Sequence, residues 1–156
     1  LYIILDNLRS AFNVGAIFRT CDALRVSGLF LCGYTAYPPH IKLQKTSMGT
    51  IDYVPWKHFD KTVDAVKYLQ DQGIPVWAAE TTSHSQSLYD VKFPCKLGLV
   101  FGNEALGVSR QVVDMCDNLI EIPQWGFKNS LNVAISCGII GFSAVKEMVK
   151  QQALTK

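Results

Sequence analysis

Five short apolar runs punctuate the chain, and polar, helix-patterned sequence separates them. They are Leu1–Leu5, Gly28–Cys32, Val76–Ala79, Leu97–Phe101 and Leu119–Ile122, the last interrupted by Glu121. A short continuous apolar run lacks the alternation of a half-solvated strand and reads as a strand covered on both faces. Strands of that kind, alternating with helices, argue an α/β fold: a mostly parallel sheet with helices on both faces.

The intervening segments carry the helical period. Val14, Ile17, Phe18, Cys21 and Leu24 recur at helical spacing, with Asn13 where an N-cap belongs. Ile41–Ser47 predicts a short helix and Tyr53–Trp56 a short extended piece. Asp60 is the expected cap of a helix with Val63, Val66 and Leu69 on one face, which Gly73 and Pro75 terminate. A helix is expected near Ser109–Met115, and a last one from Ser130 to Lys150. That last helix is apolar nearly all round between Val133 and Val145, so it is either central to the core or part of an interface.

Composition narrows the functional classes. A chain of 156 residues, 49% apolar, is one domain (1–156) by size, with material for a core. The net charge of +2 is too small to argue nucleic-acid binding by itself and leaves room for a local basic patch. The longest apolar stretch is too short to span a membrane and is broken by Gly138 and Gly141. No secretory signal pattern is present, and the start at Leu1 without Met reads as a trimmed fragment. The five cysteines form no C-x-x-C pair and read as reduced thiols of a cytoplasmic protein. The three histidines have no metal-ligand spacing, so no metal is expected.

In a parallel sheet, ligands sit beyond the carboxyl ends of the strands. Three polar, Gly-containing loops follow strands there: Asp6–Asn13, Gly102–Ser109 and Pro123–Asn129. The first belongs to "NLRSAFNVGAIFRT", in which Arg19 is either a surface charge or a phosphate-binding fork aimed at the strand ends. The second, "LVFGNEALGVS", has the glycines of a tight turn, which leave Glu104 at the strand end unexplained. Its glycine spacing is not that of a dinucleotide fold, and no phosphate-binding P-loop occurs. In the third, "IPQWGFKNSLNVAIS", capping accounts for one of Asn129, Ser130 and Asn132 and leaves the others for a ligand.

These three segments, together with "KTSMGTIDYVPW" between them, resemble the SpoU/TrmH branch of the SPOUT superfamily, RNA ribose 2′-O-methyltransferases, over nearly the whole chain. Ala105 stands where a Gly is common in that pattern. The resemblance implies a C-terminal trefoil knot, which no periodicity would predict, and S-adenosyl-L-methionine held by the knot loops. It implies a homodimer packed through the first and last helices, with Ile140 and Val145 on the contact face. It also implies catalytic roles for Asn13, Arg19, Glu104, Ser130 and Asn132, and cofactor contacts from Thr81, Gly102, Ile122 and Leu131. The substrate would be tRNA or rRNA, with Arg9, Arg19, Lys42, Lys45 and Lys128 as a phosphate track. A non-catalytic RNA-binding or dimerisation module, or a small-molecule enzyme on a nucleotide-binding fold, are the alternatives. The intact Arg19, Glu104, Ser130 and Asn132 argue against the first, and the missing phosphate-loop motifs against the second.

Overall fold

The computed structural model describes residues 1–154. Seven strands are formed: β1 (Tyr2–Asp6), β2 (Gly28–Cys32), β3 (Trp56–Phe59), β4 (Val76–Ala79), β5 (Gln86–Ser87), β6 (Gly98–Gly102) and β7 (Asn118–Glu121). The helices are α1 (Ala11–Leu24), α2 (Ile41–Ser47), α3 (Thr62–Gln70), α4 (Arg110–Met115) and α5 (Val133–Leu154), with a 3-10 turn at Thr50–Asp52. The strands form one sheet in the order β3-β2-β1-β6-β4-β7-β5, and every pairing is parallel.

The strand period of two sorts the core into layers. Ile3 and Leu5 of β1, Leu29 and Leu31 of β2, and Leu99 and Phe101 of β6 pack with Ile17 and Phe18 of α1, Leu43 of α2 and Ile140 of α5. The alternate residues Ile4, Phe30 and Val100 pack with Val66 and Leu69 of α3 and Val112 of α4 on the opposite face. Both faces are thus covered, as the continuous apolar strands require.

Local chemistry moves several element boundaries from where the sequence pattern puts them. Helix α1 begins earlier than its apolar period. Its N-cap is Ser10, not Asn13: the Ser10 hydroxyl accepts from the Asn13 N–H at 3.2 Å. Asn13 is therefore in the first turn, with its side chain free for other partners. Asp60 does not cap α3. Lys61 holds the cap position without a side-chain bond, and the exposed Asp60 lies 3.8 Å from His58. Tyr53–Trp56 is not the extended piece; pairing starts at Trp56, because Pro55 has no N–H to give to the ladder and contributes its carbonyl to Leu29 instead. Helix α5 starts at Val133 rather than Ser130, and the two-residue β5 had no apolar signal to announce it. Ile140, expected on an interface, is 1% exposed and belongs to the core. The outward face of α5 carries Ile135, Ile139 and Phe142.

Asp6 ties the carboxyl end of β1 to the first residues of two helices. It is 1% exposed. One carboxylate oxygen accepts from the Thr62 hydroxyl at the start of α3 and from the Asn7 amide, and the other accepts from the Ser109 N–H at the start of α4. Removing the carboxylate would strand buried donors, at about 1–3 kcal/mol each. Asp6→Ala is expected to lower unfolding free energy by about 2–4 kcal/mol and Thr62→Val by about 1–2 kcal/mol, read as shifted urea midpoints with unchanged slope.

Candidate active site

Beyond the carboxyl ends of β6, β4 and β7 lies a pocket of about 550 Å³. Its size falls within the range of small-molecule sites. Thr81, Gly102, Glu104, Ile122, Ser130, Leu131 and Asn132 all line it, so seven of the nine residues singled out in the sequence converge there. Asn13 joins them through hydrogen bonds. Arg19 does not line the pocket; it is exposed on α1. It follows Asn13 by six residues, which at about 100° per residue turns it away from Asn13 around the helix.

The loop after β6 is shaped by close backbone approach. A Cβ on Gly102 would sit 2.1 Å from the Val108 nitrogen and 2.2 Å from the Gly107 carbonyl carbon, so this position admits only glycine without the loop moving. Asn103 and Gly107 exchange both backbone hydrogen bonds, at 3.0 and 2.8 Å. The buried Asn103 side chain holds the turn from within: its oxygen accepts from the Ala105 and Leu106 N–H groups. Its amide donates to the Asn7 carbonyl and to the Tyr34 hydroxyl.

That turn projects Glu104 onto the start of α1. One carboxylate oxygen accepts from the Arg9 N–H at 2.8 Å, and the other from the Ser10 N–H and the Asn13 amide, each at 3.0 Å. Partial burial by itself would raise the Glu104 pKa. The hydrogen bonds from Arg9, Asn13, Ser10 and its own N–H outweigh that and hold it below the usual carboxylate range. Glu104 is therefore an anion at neutral pH, and an acceptor rather than a proton donor.

The third loop meets the same cluster. The Asn132 amide donates to the Asn13 side-chain oxygen at 3.1 Å, while its own oxygen accepts from the Ala134 and Ile135 N–H groups. Asn132 is thus both the cap of α5 and a member of the site. Ser130 lines the pocket, and among the described residues its hydroxyl has no hydrogen-bond partner. Leu131 is 42% exposed beside it, an apolar side chain held at the pocket wall. After β4, Ser85 braces the Thr81 loop by donating to the Glu80 carbonyl and accepting from the Thr82 N–H.

Other residues carry the site without a strong signal in the sequence. The Glu80 carboxylate accepts from the Val108 N–H at 2.8 Å and lines the pocket, as does Glu121. Asn103 is inside a quoted motif, yet its buried role depends on Tyr34, distant in the chain. Trp125 and Phe127, in the loop between the pocket residues Gln124 and Asn129, are 83% and 98% exposed, with the Lys128 ammonium 5.6 Å from the Phe127 ring. Two large aromatics flanking Gly126, next to a Lys, were the available sign. Among the described residues, no group of three or more His, Cys, Asp or Glu could hold a metal ion, and no helix is long and apolar enough to cross a membrane.

Comparison with known proteins agrees with this geometry. The model of the SpoU rRNA methylase family matches residues 1–142. The 23S rRNA (guanosine-2′-O-)-methyltransferase RlmB of Vibrio vulnificus is 31% identical over 153 residues, covering 97% of this chain and 61% of the relative. The chain thus spans about three fifths of that relative's length. Among solved structures, the TrmH/SpoU tRNA modifying enzyme of A. aeolicus superposes with a TM-score of 0.88 at 28% identity, over 99% of this chain and 78% of the other. The AdoMet-bound rRNA methyltransferase from Sinorhizobium meliloti gives 0.86 at 32% identity, over 93% and 55%. With its motifs meeting at one pocket and the family model matching almost end to end, the chain belongs to the SpoU rRNA methylase family.

Proposed function

We propose that residues 1–156 form one methyltransferase domain that transfers a methyl group from S-adenosyl-L-methionine to a ribose 2′-hydroxyl of rRNA or tRNA in the cytoplasm. The observation that carries this reading is the linked cluster Glu104–Asn13–Asn132 at the edge of a pocket lined by Thr81, Gly102, Ile122 and Leu131. It favours catalysis over a binding module that merely kept the fold, since a module would not need an ordered polar network beside a ligand-sized cavity. The trefoil knot of the family belongs to the same reading, with the loops after β6 and β7 as the knotted segments.

The pocket suits the methyl donor. Ile122, Leu131 and Ala79 offer apolar walls, and the Glu80 and Glu121 carboxylates complement a cationic ligand. When bound, the cofactor supplies an electrophilic methyl on a sulfonium. The chain's own residues must bring the 2′-oxygen in line with it and ease loss of the hydroxyl proton. Ser130, with its uncommitted hydroxyl, and Asn132 hold the ribose end. Glu104 and Asn13 fix the loop against α1. Arg19 binds the phosphate beside the reacting ribose and stabilises the developing alkoxide; a guanidinium is too weak an acid to serve as the base.

The position of Arg19 ties this role to a homodimer. On α1 it shares a face with Phe12, 59% exposed, and α5, which packs against α1, presents Ile135, Ile139 and Phe142 outward. An apolar face of this kind on two adjacent helices suits a second copy about a two-fold axis, with Arg19 beside the contact. Arg9, Lys42, Lys45 and Lys128 complete a basic track for RNA.

Three measurements test this reading. Calorimetry should show S-adenosyl-L-methionine or its demethylated product binding to the wild-type chain, and Leu131→Arg should abolish the heat without lowering the melting temperature. No heat at millimolar ligand would remove the basis of the assignment. In single-turnover transfer to bulk RNA, Arg19→Ala should slow the reaction about a hundredfold with cofactor affinity unchanged. Arg19→Lys should not restore it, because a point charge does not reproduce a forked contact. Arg110→Ala, which removes an outer-helix ion pair with Asp114, is the control. Sedimentation should give twice the chain mass, and Ile139→Glu with Phe142→Glu should yield a folded monomer.

A further inference from the structure

A second groove, of about 620 Å³, opens on the other side of the Glu104 cluster, between the β1–α1 loop and the β2–α2 loop. Its walls include Arg9, Tyr34, Tyr37, His40 and Lys42. No acidic side chain lines it, so its charged groups are cationic. The aromatic rings are unusually accessible: Tyr34 is 62% exposed and Tyr37 44%. Both are nonetheless held in place. The Tyr34 hydroxyl accepts from the Asn103 amide at 2.7 Å, and its N–H donates to the Asn7 side chain. Tyr37 rests on the His58 imidazole with ring centroids 4.1 Å apart. The Thr35 hydroxyl, between them, ties their loop to Leu5 and Leu8. The His40 Nδ1 is buried and has no hydrogen-bond partner among the described residues.

We propose that this groove holds the base of one unpaired nucleotide adjacent to the methylated one, stacked on Tyr34 and Tyr37; the inference rests on the RNA methyltransferase reading above. Ordered, exposed aromatic rings offer stacking faces, which a base reaches only after leaving a helix. Arg9 and Lys42 supply the charge for the accompanying phosphates. The groove is coupled to the reaction site by short covalent and hydrogen-bonded paths. The N–H of Arg9 is a donor to Glu104, and Tyr34 bonds the residue before Glu104. A nucleotide bound here would place its neighbour's ribose near the Asn13–Glu104 cluster. Duplex RNA meets the groove less well, since its base faces are already stacked and only its phosphates remain for contact.

The test measures fluorescence anisotropy of the full chain, saturated with S-adenosyl-L-homocysteine, on two fluorescein-labelled RNAs: a hairpin with a mixed-sequence unpaired loop, and a blunt duplex of equal length. The hairpin should bind about tenfold tighter. Tyr37→Ala and Tyr37→Leu, which keeps an apolar side chain without a π-face, should each weaken hairpin binding about tenfold and leave duplex binding unchanged, while Tyr37→Phe keeps the wild-type value, the pattern of lost stacking. Lys42→Ala should weaken both RNAs and reduce the salt slope by about one. Equal affinity for the two RNAs, no binding to the hairpin, or loss on Tyr37→Leu that is the same for both RNAs would overturn the inference. Calorimetry with the cofactor on the same preparation separates the failures. Heat without a Tyr37 effect removes only this groove's role, whereas absence of heat removes the methyltransferase reading beneath it.

Discussion

The site depends on one carboxylate that bridges distant parts of the chain. Glu104 leaves the turn after β6 and accepts from Arg9, Ser10 and Asn13 at the start of α1. Asn13 in turn accepts from Asn132, which caps α5. Three loops that would otherwise move independently are therefore registered against one another. The bonds to the ionised carboxylate are charge-assisted, and they lower its pKa against the opposing effect of burial. Without that anion the α1 N-terminus would lose its acceptor, and the pocket would lose one of its lining side chains.

The sheet beneath supplies the rigidity that this arrangement needs. Adjacent β1 and β6 pair in register from Tyr2 with Gly98 to Asp6 with Gly102, so their carboxyl ends finish level. Asp6 then binds the starts of α3 and α4 while Gly102 lets the next turn fold back onto the strand end. Covered faces and satisfied buried polar groups together make the strand ends a fixed platform. Polar side chains that line the pocket and stay exposed there, such as Ser130, are the ones available to a ligand.

The apolar excess of α5 divides between two tasks. Val133, Cys137, Ile140, Ala144 and Met148 close the core, whereas Ile135, Ile139 and Phe142 face outward. A helix apolar all round is thus half core and half available surface, which explains why its sequence could not choose between those readings. Arg19, exposed on α1, lies outside the pocket that the other motif residues line.

The alternation of apolar runs and helical spacing was enough to specify a parallel α/β sheet covered on both faces, because burial on both sides leaves no room for polar alternation. Three local motifs were enough to nominate most of the pocket, since glycines, caps and acid or amide side chains at strand ends leave short-range marks. Cap identity was less legible: Ser10 displaced Asn13, and Lys61 displaced Asp60, because several polar residues near a helix start compete and geometry selects among them. What only the tertiary structure decided was which polar atoms meet. Glu104 and Asn13 are 91 residues apart and Asn13 and Asn132 are 119 apart. No local pattern encodes those distances; strand order and register bring the loops together. The sequence by itself determined five of the seven strands, the helices and the chemical character of the loops, and the sheet's crossover order determined that those loops share a site, because hydrogen bonds act over about 3 Å and not along the chain.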